Sequence, residues 1–120
     1  MKTHSKLTEV AHTEMVYCVK IVDKLLVTCG DTTVRIWNIT DGKQLHKLQL
    51  LGWCSTFDLN SDRTLLAVAH QYGVSIYNFS SLSKLTEIQL FKVMDVRFNE
   101  PGTMLIVGQH DGQLTIIKLD

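Results

Sequence analysis

The sequence predicts an all-β protein built from repeated units of short antiparallel strands. Segments rich in β-branched and aromatic residues follow one another along the 120 residues, with turn signals between them. One strand pattern returns at a fixed interval, because Trp37, Tyr77 and Ile117 lie at equivalent places and are each 40 residues apart. No window combines the 3.6-residue period and the length of a helix. These observations together predict evenly spaced strands in antiparallel sheets.

The first round of the repeat has the strongest strand signals. One segment is β-branched and aromatic, the next is almost continuously apolar, as in a strand covered on both faces, and the third alternates in polarity. Asp41-Gly42 is a hairpin signal, and the strand after it is the most polar of the four. The predicted strands of this round are 16–21, 25–29, 34–38 and 44–50.

The same order restarts twice. The second round predicts strands 54–59, 65–69, 74–79 and 84–90, and the third predicts 93–98, 104–107 and 114–119 without a fourth strand. Near the N-terminus, Lys6-Leu7-Thr8-Glu9-Val10 resembles Lys84-Leu85-Thr86-Glu87-Ile88, so this segment is predicted to be a strand of the fourth kind. The chain is therefore predicted to form one domain, comprising strand 4–10 and repeats 11–50, 51–90 and 91–120.

The overall composition argues against several classes of partner, although a local charged patch stays possible. Twelve basic and twelve acidic residues cancel, which gives no bulk electrostatic case for binding nucleic acid or an anionic membrane. No stretch approaches the roughly 20 apolar residues that span a bilayer, and the N-terminal residues carry no hydrophobic signal segment. We therefore expect no nucleic-acid partner and no membrane partner.

Three cysteines, Cys18, Cys29 and Cys54, lie inside apolar segments. Their odd number and placement favour buried, reduced thiols over a disulfide framework, and so a cytoplasmic or nuclear location. A zinc site with His12 or His70 is the alternative, but the spacings contain no close pair of ligands. Core thiols are the favoured interpretation, and no cofactor or metal is predicted.

At this level of detail the sequence resembles the WD-repeat β-propeller family. That family has repeats of about 40–45 residues, four strands each, with a Gly-His near the start and Trp-Asp closing the third strand. The first repeat carries Ala11-His12, Asp31 and Trp37-Asn38, and the second carries Tyr77-Asn78. The third carries Asp111-Gly112 and closes with Ile117-Lys118. The resemblance implies three four-stranded antiparallel blades per chain.

The resemblance also implies a hydrogen-bonded network within the first repeat. It would join His12, Thr28, Asp31 and Trp37, with the imidazole donating to the carboxylate and ordering the turn. The same residue types could form an acid–base dyad or a nucleophile triad. The structural role is favoured, because these positions are the ones that the family uses for turn geometry. No catalytic residue is predicted.

The predicted strand count makes three blades, whereas propellers have 4–8. Two apolar sheet faces would then be bare, which a soluble monomer rarely tolerates. The expectation is either that two chains associate into six blades, with strand 6–10 finishing a blade of the neighbour, or that the chain is part of a longer propeller.

Candidate partner-binding residues lie in the connections between strands. Trp53, Tyr72 and Phe91 are loop aromatics, a residue type that anchors protein interfaces, although each could instead cap the adjacent blade. The polar rim around them would comprise Lys92, Glu14 and His70. His70, His110 and Asp111 lie in or near the turns between second and third strands and could meet on one face, but solvated loop residues are the favoured interpretation.

The function predicted from the sequence is a non-catalytic scaffold that presents loop residues to a protein or peptide partner. One alternative is a purely architectural half-propeller that closes a ring by self-association. A second is the substrate-recognition part of a ubiquitin-ligase adaptor, which rests only on the analogy between the short 22–24 turn and WD repeats of F-box-type adaptors. A propeller enzyme would need convergent polar residues that the sequence does not indicate.

Overall fold

A computed structural model describes residues 15–119 of the chain, and these residues form eleven strands in three antiparallel sheets. The first sheet contains β1 (Val16–Val22), β2 (Leu25–Gly30), β3 (Thr33–Asn38) and β4 (Gln44–Gln49). The second contains β5 (Cys54–Leu59), β6 (Leu65–His70), β7 (Gly73–Asn78) and β8 (Lys84–Gln89). The third contains β9 (Val93–Phe98), β10 (Met104–Gln109) and β11 (Leu114–Lys118).

The predicted all-β class is confirmed, and each predicted strand corresponds to an observed one with ends that differ by at most two residues. In every sheet the strands lie side by side in chain order. The predicted strand 4–10 lies outside the described residues, and the repeat boundaries stay a prediction. No helix in residues 15–119 is long and apolar enough to cross a membrane.

Irregularities in the hydrogen-bond register recur at equivalent positions in the sheets. The first strand of each sheet has a register shift at its N-terminal end, at Val16/Cys18, at Cys54/Thr56 and opposite Gly108/Gln109. The third strands of the first two sheets shift at Ile36/Trp37 and Ile76/Tyr77. Such bulges bend and twist a strand locally. The bulge in the first strand is therefore common to all three sheets, and the bulge in the third strand is common to the first two.

Two hydrophobic layers hold the sheets face to face. The layer between the first and second sheets contains Val27, Ile36, Phe57 and Leu66, and the layer between the second and third contains Ala67, Ile76, Val96 and Leu105. These side chains alternate along their strands, so adjacent residues of β6 enter different layers. The second sheet is thus covered on both faces, as its apolar strands predict.

The outer surfaces of the first and third sheets carry exposed apolar residues. Val19 and Ile21 of β1 are 59% and 64% exposed, and Leu114 and Ile116 of β11 are 68% and 56% exposed. The register places Val19 at the position of Phe57 in the second sheet, and Ile116 at the position of Ile76. Phe57 and Ile76 are buried against a neighbouring sheet. The two outer surfaces therefore have the character of sheet-packing faces.

Candidate functional site

The connections that carry the predicted partner-binding residues meet at one end of the sheets. In the second sheet Cys54 is paired with His70, His70 with Gly73, and Gly73 with Gln89. The connection before β5, the β6–β7 turn and the connection after β8 consequently lie side by side. We call this end the connection face and define it as residues 31–32, 50–53, 71–72, 90–92 and 110–113.

The three candidate aromatic residues are exposed on the connection face. Trp53 is 49% exposed, Tyr72 55% and Phe91 69%. The ammonium group of Lys92 lies 5.2 Å from the centroid of the Phe91 ring, within the range of a cation–π contact. Glu14 lies outside the described residues. All three aromatic residues therefore present a large part of their surface at the connection face, and Trp53 presents the least.

An open groove of about 770 Å³ lies beside two of these aromatics. Tyr72, Phe91 and Lys92 line it together with Leu51 and Leu90, and Glu87 contributes a carboxylate. Trp53 is not among the lining residues. The structure thus brings three of the predicted residues together at one groove and leaves Trp53 as a separate exposed aromatic.

A close backbone approach fixes the turn that carries Tyr72. A β-carbon added at Gly52 would lie 2.7 Å from the β-carbon of Gln71, so only glycine allows the connection before β5 to pack this closely on the β6–β7 turn. The amide of Leu90 donates to the carbonyl oxygen of Tyr72 at 3.3 Å. The turn is therefore held from both sides by neighbouring connections.

His70 is not a surface residue, and its prediction as part of a polar rim, or as a solvated loop residue, is wrong. It is the last residue of β6 and is 4% exposed. Its Nδ1 accepts a hydrogen bond from the Tyr72 amide at 3.2 Å, and its Nε2 lies 2.8 Å from Ser75 Oγ. The imidazole is buried because both ring nitrogens have partners inside the sheet. His110 and Asp111, in contrast, are exposed.

The hydroxyl of Ser75 connects His70 to a carboxylate. Ser75 Oγ donates to Glu87 Oε1 at 2.9 Å, and Lys84 Nζ donates to the same oxygen at 3.1 Å. The hydrogen bond from Lys84, followed by that from Ser75, lowers the pKa of Glu87. Since the Ser75 proton is directed to Glu87, His70 is not placed as a base for Ser75, and Ser75 is only 1% exposed. His70, Ser75 and Glu87 therefore form a structural network.

Part of the network implied for the first repeat lies within the described residues. The indole Nε1 of Trp37 donates to Thr28 Oγ1 at 3.0 Å, and both residues are buried. Asp31 Oδ1 accepts from the amide and the hydroxyl of Thr33 at 2.9 and 2.7 Å, which closes the β2–β3 turn. His12 lies outside the described residues, so the complete network stays a prediction.

The three cysteines are closer together than their spacing suggests. Cys18 and Cys29 are direct cross-strand partners, and Cys54 belongs to the same hydrophobic layer as Cys29. All three are free thiols, and no cluster of three or more potential ligands in residues 15–119 could hold a metal ion. The hydrogen bond with Cys29, together with burial, raises the pKa of the Cys18 thiol. A thiol of this kind is a poor nucleophile at neutral pH.

Asp58 joins the first strands of all three sheets, a role that the sequence reasoning missed. It lies on β5, is 6% exposed, and accepts from Lys20 Nζ of β1 at 2.8 Å and from the Phe98 amide of β9 at 2.8 Å. The available signal was a carboxylate within an otherwise apolar strand, since such groups are almost never buried without a partner. Asp58 helps to fix the angle at which the sheets meet.

Comparison with known proteins agrees with this architecture. Residues 4–38 match the family model for the WD domain, G-beta repeat. A segment of 41 residues is 46% identical to the tRNA (guanine-N(7)-)-methyltransferase non-catalytic subunit wuho of Anopheles gambiae, over 32% of this chain and 11% of that protein. The present chain thus corresponds to a small part of that relative.

Solved structures show the fold over nearly the whole chain. The RRP9 WD40 repeats superpose with a TM-score of 0.81 at 17% identity, covering 90% of this chain and 36% of that one. A chain of the mitotic checkpoint complex superposes with a TM-score of 0.85 at 20% identity, covering 96% and 40%. Each sheet is thus a propeller blade, and the chain spans well under half of either structure. Residues 4–38 thus resemble a WD repeat, and the described residues have the fold of part of a WD40-type propeller.

Proposed function

We propose that the chain is a non-catalytic scaffold that binds a protein or peptide partner on the connection face. WD40 repeats are generally protein-interaction scaffolds, and the relative wuho is by name a non-catalytic subunit of a methyltransferase. The observation that carries the proposal is the groove in which Tyr72, Phe91 and Leu51 present apolar surface beside Glu87 and Lys92. Large aromatic side chains with a few charged groups around them are typical of binding hot spots.

The rigidity of the blades supports this proposal. Tyr72 is attached to β6 and β7, which are hydrogen-bonded on both sides, and Gly52 seats the neighbouring connection against the Tyr72 turn. The Phe91–Lys92 pair connects the edge strands β8 and β9, each of which is hydrogen-bonded on one side. A partner would therefore dock on side chains whose positions are largely set before binding, which lowers the entropic cost of association. We place the complex in the cytoplasm or the nucleus, where three unpaired thiols remain reduced.

The test is to capture partners from cells with the full chain and to compare variants by quantitative mass spectrometry. We expect Tyr72→Ala combined with Phe91→Ala to lower the affinity for specific partners by about 30-fold, as truncation of a hot spot of about 2 kcal/mol does. Ile39→Ala is the matched control, because Ile39 is an apolar residue, 43% exposed, at the opposite end of the sheets. Retention of every specific partner by the double variant would overturn the proposal, and a separate Trp53→Ala variant tests whether Trp53 contributes.

A second candidate function is architectural, and the exposed sheet faces favour it. Val19 and Ile21 on one side and Leu114 and Ile116 on the other occupy positions that are sheet-packing positions inside the molecule. We propose that further blades cover both faces, supplied by a second copy or by the rest of a longer propeller. We expect light scattering on the purified chain to give a mass of at least twice 13.6 kDa if a second copy supplies them. A well-folded monomer that binds no further blades would contradict the architectural role.

A further inference from the structure

We infer that His70 is a pH-operated latch for the Gln71–Tyr72 turn, and that protonation of its imidazole releases the Tyr72 backbone at the groove. The inference rests on the proposed function in one respect, since the groove is the surface that the latch would regulate. The latch itself consists of three hydrogen bonds within the second blade.

The hydrogen bonds determine the tautomer of the imidazole. Nδ1 accepts the proton of the Tyr72 amide, so it carries no hydrogen of its own. In a neutral ring the hydrogen is then on Nε2, which donates to Ser75 Oγ, and Ser75 in turn donates to Glu87. Each donor in this series of hydrogen bonds therefore faces an acceptor. A second ring proton can be added only at Nδ1, the atom that accepts from Tyr72.

Protonation would place two donors against each other. The Nδ1 proton would point at the Tyr72 amide across a distance of 3.2 Å, and that hydrogen bond would be lost. The amide of Tyr72 has to turn away, because a buried donor facing another donor is costly. Tyr72 and its neighbour Gln71 both line the groove, so the change in the turn moves the groove wall.

The charges around His70 set the direction of its response. Burial lowers the pKa of His70, with Lys84 acting in the same direction and Glu87, whose Oε1 is 3.7 Å from Nε2, acting against it. On the neighbouring strand β5 its register partner is Cys54, a thiol, and on β7 the titratable residue on the same face is Tyr77, two residues beyond Ser75. The imidazole is therefore neutral at pH 7, and the latch opens only as the pH falls below the ordinary histidine range near 6.5.

The sign of the stability effect follows from the same shift. In the unfolded chain a histidine takes up its proton near pH 6.5, whereas folded His70 takes it up at a lower pH. Stability that is present above pH 6.5 is consequently lost as the pH falls from 6.5 toward the folded pKa. We expect the free energy of unfolding to decrease over this interval in the wild-type chain.

Nitrogen-15 NMR of the full chain tests the latch without a partner. At pH 7.5 we expect the His70 ring to be the Nε2–H tautomer. On acidification the Tyr72 amide shift should titrate with the His70 ring, and hydrogen exchange at Tyr72, corrected for intrinsic pH dependence, should become about fivefold faster, as for loss of one hydrogen bond. His70→Asn is the matched variant, because its side-chain oxygen can replace Nδ1 as acceptor but does not titrate. In His70→Asn the chemical shift of the Tyr72 amide should therefore show no titration midpoint.

Three results would overturn the latch: an Nδ1–H tautomer, a Tyr72 amide that is unaffected while His70 titrates, or the same Tyr72 titration in His70→Asn. The first two need only the wild-type chain, so the test holds if the variant does not fold. Partner binding at pH 7.5 and 5.5 separates the two proposals. Binding that ignores Tyr72→Ala rejects the docking site, whatever the amide of Tyr72 does on titration.

Discussion

Replacing Gly73 by alanine is expected to cost about 4 kcal/mol of unfolding free energy, a large part of the roughly 5–15 kcal/mol that keeps an ordinary domain folded. Gly73 begins β7 with φ of +143°, a conformation that other residues rarely adopt. A β-carbon there would overlap the carbonyl oxygen of Ile88 and lie 2.7 Å from the Leu90 amide nitrogen. Both are backbone atoms, one at the end of β8 and one directly after it, so no side-chain rotation relieves the clash.

Gly108→Ala is the matched control for this experiment. Gly108 lies within β10, and a β-carbon added there meets no atom within 4 Å. A glycine in a strand interior is destabilising relative to alanine by roughly 0.5–1 kcal/mol, so this variant should be as stable as the wild type or slightly more stable. Urea denaturation of the wild type and both variants checks the prediction. Equal midpoints for Gly73→Ala and Gly108→Ala would show that β8 can move away from β7 at little cost.

The fold could be predicted from the sequence because its signals are local. Each strand is short and apolar enough to be recognised by itself, and Trp37, Tyr77 and Ile117 mark the register of the three blades. The errors at strand ends are small and have local causes. His70, for example, looks like the start of a polar turn, but its side chain folds back onto Ser75 and extends β6 by one residue.

The site was less predictable because it depends on contacts between distant residues. The topology places Trp53, Tyr72 and Phe91 on one face, because the turn between the second and third strands and the connections between sheets lie at the same end of antiparallel sheets. Only the structure shows that the groove is formed with Leu51 and Leu90, and that Trp53 is outside it. Three-dimensional packing also decided the state of His70, since nothing local distinguishes a histidine that enters a sheet from one that faces water.

Asp58→Ala is expected to cost about 3 kcal/mol, because one substitution removes links from the second blade to both of its neighbours. The Phe98 amide loses its acceptor, and an unsatisfied buried donor costs about 1–3 kcal/mol. Lys20 loses a charge-assisted partner, although its side chain is 38% exposed and water compensates for much of that loss.

Two further substitutions separate these contributions. Lys20→Gln removes the positive charge but keeps a side-chain amide that can donate to Asp58, and Asp58 keeps its hydrogen bond from the Phe98 amide. This variant should therefore cost about 1 kcal/mol, less than Asp58→Ala. Asp58→Asn keeps an oxygen that can accept from Phe98 but lacks the negative charge, so it should fall between Lys20→Gln and Asp58→Ala in stability. Urea denaturation gives the order of the three variants in stability, and hydrogen exchange at Phe98 should be accelerated in Asp58→Ala but not in Lys20→Gln.

If Asp58→Ala were no less stable than Lys20→Gln, the hydrogen bond from the Phe98 amide would have no role in joining the second and third blades. The packing between Val96, Leu105 and Ile76 would then have to fix the angle of the third blade without it.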